Sequence, residues 1–324
     1  VAKPLPVLEL PALALSDFEI LHQLASHHGV STYAARRPCG LGVERQVLLK
    51  VTEATLQFGF SSAKQLTDES RLGARLNHPN LLQTIEHGKD DGCYYQVREW
   101  VEGIGLRRLF EKVWQTQHFP VSAALYIGIQ LCQVLSYLHE LNVPPWAPEG
   151  LIHHGVVPSN VIISTCAEVR LGNLFQARPR SAAVTSVAVP AAGEDGNSGT
   201  ASAYQAPEVR TGQAADPRAD VFAVGTLMYE AIIGAEAFAG DRGSDWQRVR
   251  DDREVLRKLE EDRIPQQLME LLTRAMASSP FERFGSAAAL QQEIQTLLHD
   301  NYQSDGGSEL QALVAEHYQP FSAA

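Results

Sequence analysis

Histidine and cysteine are the first residues of this chain whose spacing can be tested for chemistry. His27-His28 and His153-His154 stand as adjacent pairs. Neighbours on a strand point to opposite faces, so neither pair offers two ligands to one ion. No cysteine or carboxylate lies at ligand spacing from them, and they read as surface or core histidines. Cys39, Cys93, Cys132 and Cys166 are scattered, with no Cys-x-x-Cys pair. That usage suits reduced thiols and a cytoplasmic protein rather than a disulfide framework. The richest stretch is Leu151-Ile-His-His-Gly-Val-Val-Pro-Ser-Asn-Val-Ile-Ile163, where polar residues interrupt an apolar run.

The elements that must hold these residues change character along the chain. Residues 1–17 form an arm rich in Leu, Pro and Ala. From Phe18 to about Tyr95, short apolar strands surround one helix. Gln46–Val51 and Cys93–Val97 read as strands, and Ser61–Leu76 as the helix, with Leu66, Leu72 and Leu76 at helical spacing. Beyond Gly103 the pattern becomes helical, over Val121–Leu141, Asp220–Ile233 and Pro265–Met276. Strands first and helices after predict an α+β fold of two lobes. The expected division is a small lobe over 18–102, a large lobe over 103–298 and an extension over 299–324. In the extension, Leu310, Leu313, Val314 and His317 mark one face of an amphipathic helix.

Two insertions stand out. Leu141–Gly150 carries three prolines and a Trp, and Arg178–Ser202 is rich in Ala, Ser, Gly and Val. The second composition predicts a mobile surface segment. Its hydroxyls Thr185, Ser186, Ser198, Thr200 and Ser202 are candidates for phosphorylation, with Arg178 or Arg180 near to pair with the phosphate.

The 324 residues, 44% of them apolar, suffice for a substantial core. A net charge of −11 argues against nucleic-acid or anionic-membrane partners. No apolar run approaches the roughly 18 residues of a membrane span, so none is expected. The chain opens at Val1 without an initiator methionine, and is expected to be part of something longer.

The stretch around His153 resembles the catalytic loop of protein kinases, where His-Arg-Asp, four residues and Asn follow in order. Here the order is His153-His154-Gly155, four residues, then Asn160. Val47-Leu-Leu-Lys50 resembles the strand whose Lys pairs with nucleotide phosphates. Glu69, 19 positions on, falls where the family carries the ion-pair Glu of its regulatory helix. Gln96–Gly103 resembles the hinge, and Tyr204-Gln-Ala-Pro-Glu208 the Ala-Pro-Glu motif. Asp220-Val-Phe-Ala-Val-Gly225 resembles a conserved helix start, and Arg283 matches the Arg that pairs with the Ala-Pro-Glu carboxylate. The ordered set is similar to the protein kinase superfamily over about Phe18 to Leu298, closest to bacterial Ser/Thr (Hanks-type) kinases. That resemblance implies a bilobal fold and an activation-segment-like insert over 173–208.

Against this resemblance the departures concentrate where the family does its chemistry. Gly155 stands where the catalytic base would be, Val157 where a phosphate-side Lys would be, and Asn173 where the main Mg²⁺ ligand would be. Phe175 replaces the glycine of that last motif, and Ala25, His27 and Val30 fall at the positions of the phosphate-covering glycines, with Gly29 one off. Either His27 or His28 is a candidate phosphate contact, against the alternative of histidines at a hairpin tip. Leu48 should crowd the adenine pocket, and Arg98, just before the hinge, either pairs with Glu69 or faces solvent.

The resemblance with its departures implies a pseudokinase that is not an enzyme and acts as a protein-interaction scaffold or regulator in signalling. It implies no catalytic residues, no metal, and a vestigial nucleotide site of Lys50, Glu69, Arg98 and Asn160. Glu208, Asp220 and Arg283 are expected to be architectural. No cofactor is expected beyond weak, metal-independent binding of ATP. The expected partner is a protein, an active kinase or a scaffold. Two alternatives stand beside this: a metal-independent nucleotide sensor, and atypical phosphotransfer using Lys50 and Asn160 with Glu194 or Asp195.

Overall fold

The computed structural model describes residues 15–27, 30–38, 43–52, 59–90, 92–144, 147–174, 177–180, 203–234 and 264–320. The expected phosphorylation sites between Thr185 and Ser202, together with Glu194, Asp195, His28, Gly29 and Phe175, lie outside them. The chain divides into two compact units, 1–75 with 83–100, and 76–82 with 101–324.

The first unit is a five-stranded antiparallel sheet with one helix. Its elements are β1 (Glu19–His27), β2 (Val30–Pro38), β3 (Glu44–Thr52), α1 (Gly59–Gly73), β4 (Thr84–Asp90) and β5 (Cys93–Glu99). The strand order is β1-β2-β3-β5-β4. Strand alternation sends Val47 and Leu49 of β3, and Tyr95 and Val97 of β5, into a core with Phe18 and Ala35. The intervening residues Lys50, Gln96 and Arg98 occupy the other face, where α1 brings Glu69, and all four are buried. This unit therefore has one apolar face and one buried polar face.

The second unit opens with β6 (Gly103–Gly105), α2 (Leu106–Val113) and α3 (Val121–His139). Next come β7 (Leu151–Ile152), β8 (Val161–Ser164), β9 (Val169–Leu171) and β10 (Arg178–Pro179). It closes with α4 (Pro207–Arg210), α5 (Arg218–Ile233), α6 (Gln266–Ala275), α7 (Ala287–Asn301) and α8 (Gly307–His317). α3 is buried along most of its faces and α5 nearly all round, as their predominantly apolar sequences require. α3 packs against α5 and α7 at the centre. Close approach is bought with glycine: a Cβ on Gly128 would lie 2.5 Å from Met228 Sδ, and one on Gly225 would lie 2.8 Å from Ala275 Cβ.

The expectation from sequence was that no segment could span a membrane. By length and composition α3 is long and apolar enough to do so, and 67% of its most apolar window is buried inside the fold. The extension helix α8 packs on α2, α3 and β6 through Leu310, Leu313 and Val314. Ser122 meets the carboxylate of Glu309, and Gln311 Nε2 donates to Thr165 O at 3.3 Å. The α+β expectation holds, with the sheet in the first unit and the helices in the second.

Candidate functional site

In the first unit, the backbone ladder sets the site. β5 lies between β3 and β4, and its register places Gln96 opposite Lys50 and Arg98 opposite Leu48 and Thr84. Lys50 is 6% exposed. Of the two alternatives open for Arg98, the structure takes the ion pair: its Nη2 donates to Glu69 Oε1, with both side chains buried. Arg98 Nε donates to Gln96 Oε1 at 2.7 Å, so the guanidinium is fixed at two points. Ala25 and Val30 fall near the β1–β2 turn, where His27 pairs with Val30 in the ladder.

In the second unit, Asp220 at the start of α5 organises the His153 stretch. Its carboxylate accepts from the backbone N–H of His153 at 2.8 Å and of His154 at 2.9 Å, and lies 2.8 Å from His139 Nε2. Burial alone would raise this carboxyl. The hydrogen bond and charge of His139, with His154 and His153 beside it, instead hold it down at about 2. His154 has a left-handed backbone (φ 58°), and burial pushes its own imidazole down.

A chain of amides follows. Asn160 Nδ2 donates to Gly155 O at 2.8 Å, and Asn173 Nδ2 donates to Asn160 Oδ1 at 3.1 Å. The backbone N–H of Gly172 donates to Asn160 O at 2.8 Å, tying the two segments together again. Asn173 is left-handed (φ 63°), a conformation that asparagine tolerates better than most residues. Val157 is half-buried beside Pro158 and makes no polar side-chain contribution. Mg²⁺ is a hard ion best held by charged oxygens. Asn160 and Asn173 present a neutral pair already hydrogen-bonded to each other, so these two residues do not fit a carboxylate-held Mg²⁺. No group of three or more His, Cys, Asp or Glu among the described residues is arranged to hold an ion.

Glu208 and Arg283 form a buried network of their own. Arg283 grips both oxygens of Glu208 at 2.7 Å, donates to the carbonyls of Ala277, Arg218 and Ser278, and stacks over Phe222. Sequence reading missed a second buried network. Arg107 donates to Glu230 Oε1 and to Tyr204 Oη, each at 2.8 Å, and the Tyr204 hydroxyl donates to Glu230 Oε2. Burial raises the Glu230 carboxyl despite the Arg107 charge, and raises the Tyr204 phenol far above its usual range. A lone glutamate inside the apolar run of α5 was the available signal, because such a residue needs a partner.

Comparison with known proteins gives these features a family context. Residues 43–295 match the family model of the protein kinase domain. The chain is 26% identical to the tyrosine-protein kinase MasK of Myxococcus xanthus over 321 residues, covering 97% of this chain and 48% of MasK. It is 31% identical to the serine/threonine-protein kinase PknL of Mycobacterium bovis over 290 residues, covering 89% of this chain and 67% of PknL. The chain thus spans about half the length of MasK. A crystal structure of a mutant PknI kinase domain from Mycobacterium tuberculosis shares the fold, with a TM-score of 0.61 at 22% identity, covering 88% of this chain and 96% of that one. These matches correct one expectation. The chain was expected not to be an enzyme, yet the domain it matches is the protein kinase domain and the relatives it resembles are protein kinases, against that expectation. The physical reason is that phosphoryl transfer rests on positioning and electrostatics supplied jointly by several groups. Residue types at Gly155, Val157 and Asn173 therefore do not decide the class of the whole.

Proposed function

Since the chain belongs to the protein kinase family, we propose that it is a signalling regulator whose output is the binding of a protein partner, an active kinase or a scaffold, on its kinase frame. The observation that carries this reading is the completeness of that frame. Asp220 holds the backbone of His153 and His154, and Arg283 grips Glu208 at two points. Both networks are buried, and the second ties the helix carrying Glu208 to Arg283, so the backbone around them is held in one arrangement. Gly155 takes part through its backbone alone: its N–H donates to His153 Nδ1, and its carbonyl accepts from Val157 N–H and Asn160 Nδ2.

Allelic replacement tests it. Lys50→Ala is expected to preserve signalling at near wild-type level, whereas Arg283→Met is expected to abolish it through the frame. A folded Lys50→Ala protein that behaves like a deletion would overturn the reading.

A second reading is nucleotide binding without a carboxylate-held metal. The buried Lys50 and the Asn160–Asn173 amide pair favour it. A third is phosphotransfer by an atypical route, favoured by the kinase names of the relatives. Transfer of radiolabel from ATP above a Lys50→Ala control would select the third reading over the first.

A further inference from the structure

We propose that Arg98 is the positioning residue that holds α1 on the sheet, and that it does so whether or not a nucleotide is bound. Helix α1 buries Leu66 and Leu72 and also brings Glu69 to the buried polar face of the sheet, where its position depends on how charges are matched. Arg98 supplies the match. Its guanidinium donates to Gln96 through Nε and to Glu69 of α1 through Nη2. The Arg98 side chain is 4% exposed and that of Glu69 is 1% exposed.

Three physical features make this contact an anchor. Arg98 lies on β5, an interior strand with ladder partners on both sides, Leu48 of β3 and Thr84 of β4. Its backbone is therefore fixed before its side chain is considered. The planar fork, held at two points, has little rotational freedom left to lose. A buried pair of this kind is costly to break on one side, because the other charge is then left in the interior. The inference depends on the kinase-family reading only in taking ATP as the nucleotide to test.

Amide hydrogen exchange on the full chain tests it, with wild type, Arg98→Met and Lys50→Ala compared with and without ATP. In wild type, exchange across 59–73 should change less than twofold on adding ATP. Arg98→Met should speed that exchange at least tenfold, and more than Lys50→Ala does. The double variant Arg98→Met/Glu69→Leu removes both charges and keeps the lobe folded, with β3 and β5 exchange as the reference. Because no charge is left stranded in it, its α1 exchange should rise less than in Arg98→Met. Exchange in 59–73 within twofold of wild type in Arg98→Met would overturn the proposal. So would a tenfold slowing by ATP in wild type. If ATP gives no binding heat in any variant, the nucleotide reading fails, and the Arg98 comparison still decides the anchor.

Discussion

At the scale of single residues, Arg283 and Asp220 carry the frame. Removing one partner of a buried ion pair strands the other, so Arg283→Ala should lower stability by about 3–5 kcal/mol, read from the urea midpoint. Asp220 makes a pH prediction. Its folded pKa of about 2 lies below the reference value of 3.8. Its contribution is thus complete above 3.8 and is lost as pH falls through about 2, an effect on the order of 2 kcal/mol. His154 acts in the same direction: its imidazole is lowered from 6.5, so stability declines as pH drops below that value. Urea midpoints measured from pH 7 down to pH 2 should fall more steeply in wild type than in Asp220→Asn. Equal slopes would show that other groups dominate acid sensitivity.

Elements were largely legible in the sequence, and their differences from expectation have physical causes. The strand expected over Gln46–Val51 extends over Glu44–Thr52, because β2 pairs with it along its whole length. The helix expected over Ser61–Leu76 runs from Gly59 to Gly73, and residues 76–82 belong to the second unit. There Leu82 N–H donates to Leu171 O and Leu171 N–H to Asn80 O, both at 2.8 Å, bonds that local periodicity cannot reveal. For α8 the periodicity of Leu310, Leu313 and Val314 was sufficient, but the fit at its start was not visible. Gly306 is left-handed (φ 79°), and a Cβ there would lie 2.1 Å from Ser122 O. Gly212 is also left-handed (φ 72°) with open space around its Cβ position. Gly306→Ala should therefore cost about 2–3 kcal/mol and Gly212→Ala about 1 kcal/mol. Thermal unfolding of the two variants side by side checks this; equal losses would mean that the contact with Ser122 relaxes freely.

Across the whole molecule, the family and its two-part architecture were readable from ordered motifs between Val47 and Arg283, which the match over 43–295 supports. Enzyme class was not readable from three positions. Nor were the partner of Arg98 and the Arg107–Tyr204–Glu230 network, since each joins residues distant in sequence whose pairing only the fold defines. The proposal of protein binding draws on the intact frame. Its distinctive chemical corollary is that nucleotide, where bound, does not depend on a carboxylate-held metal. Calorimetric titration of ATP into wild type and Lys50→Ala, with excess Mg²⁺ and again with a chelator, tests this most directly. The account predicts wild-type affinity equal within about twofold in the two conditions and weaker in Lys50→Ala. Binding at least tenfold tighter with Mg²⁺ would contradict it, because the neutral Asn160–Asn173 pair would then be holding a cation after all.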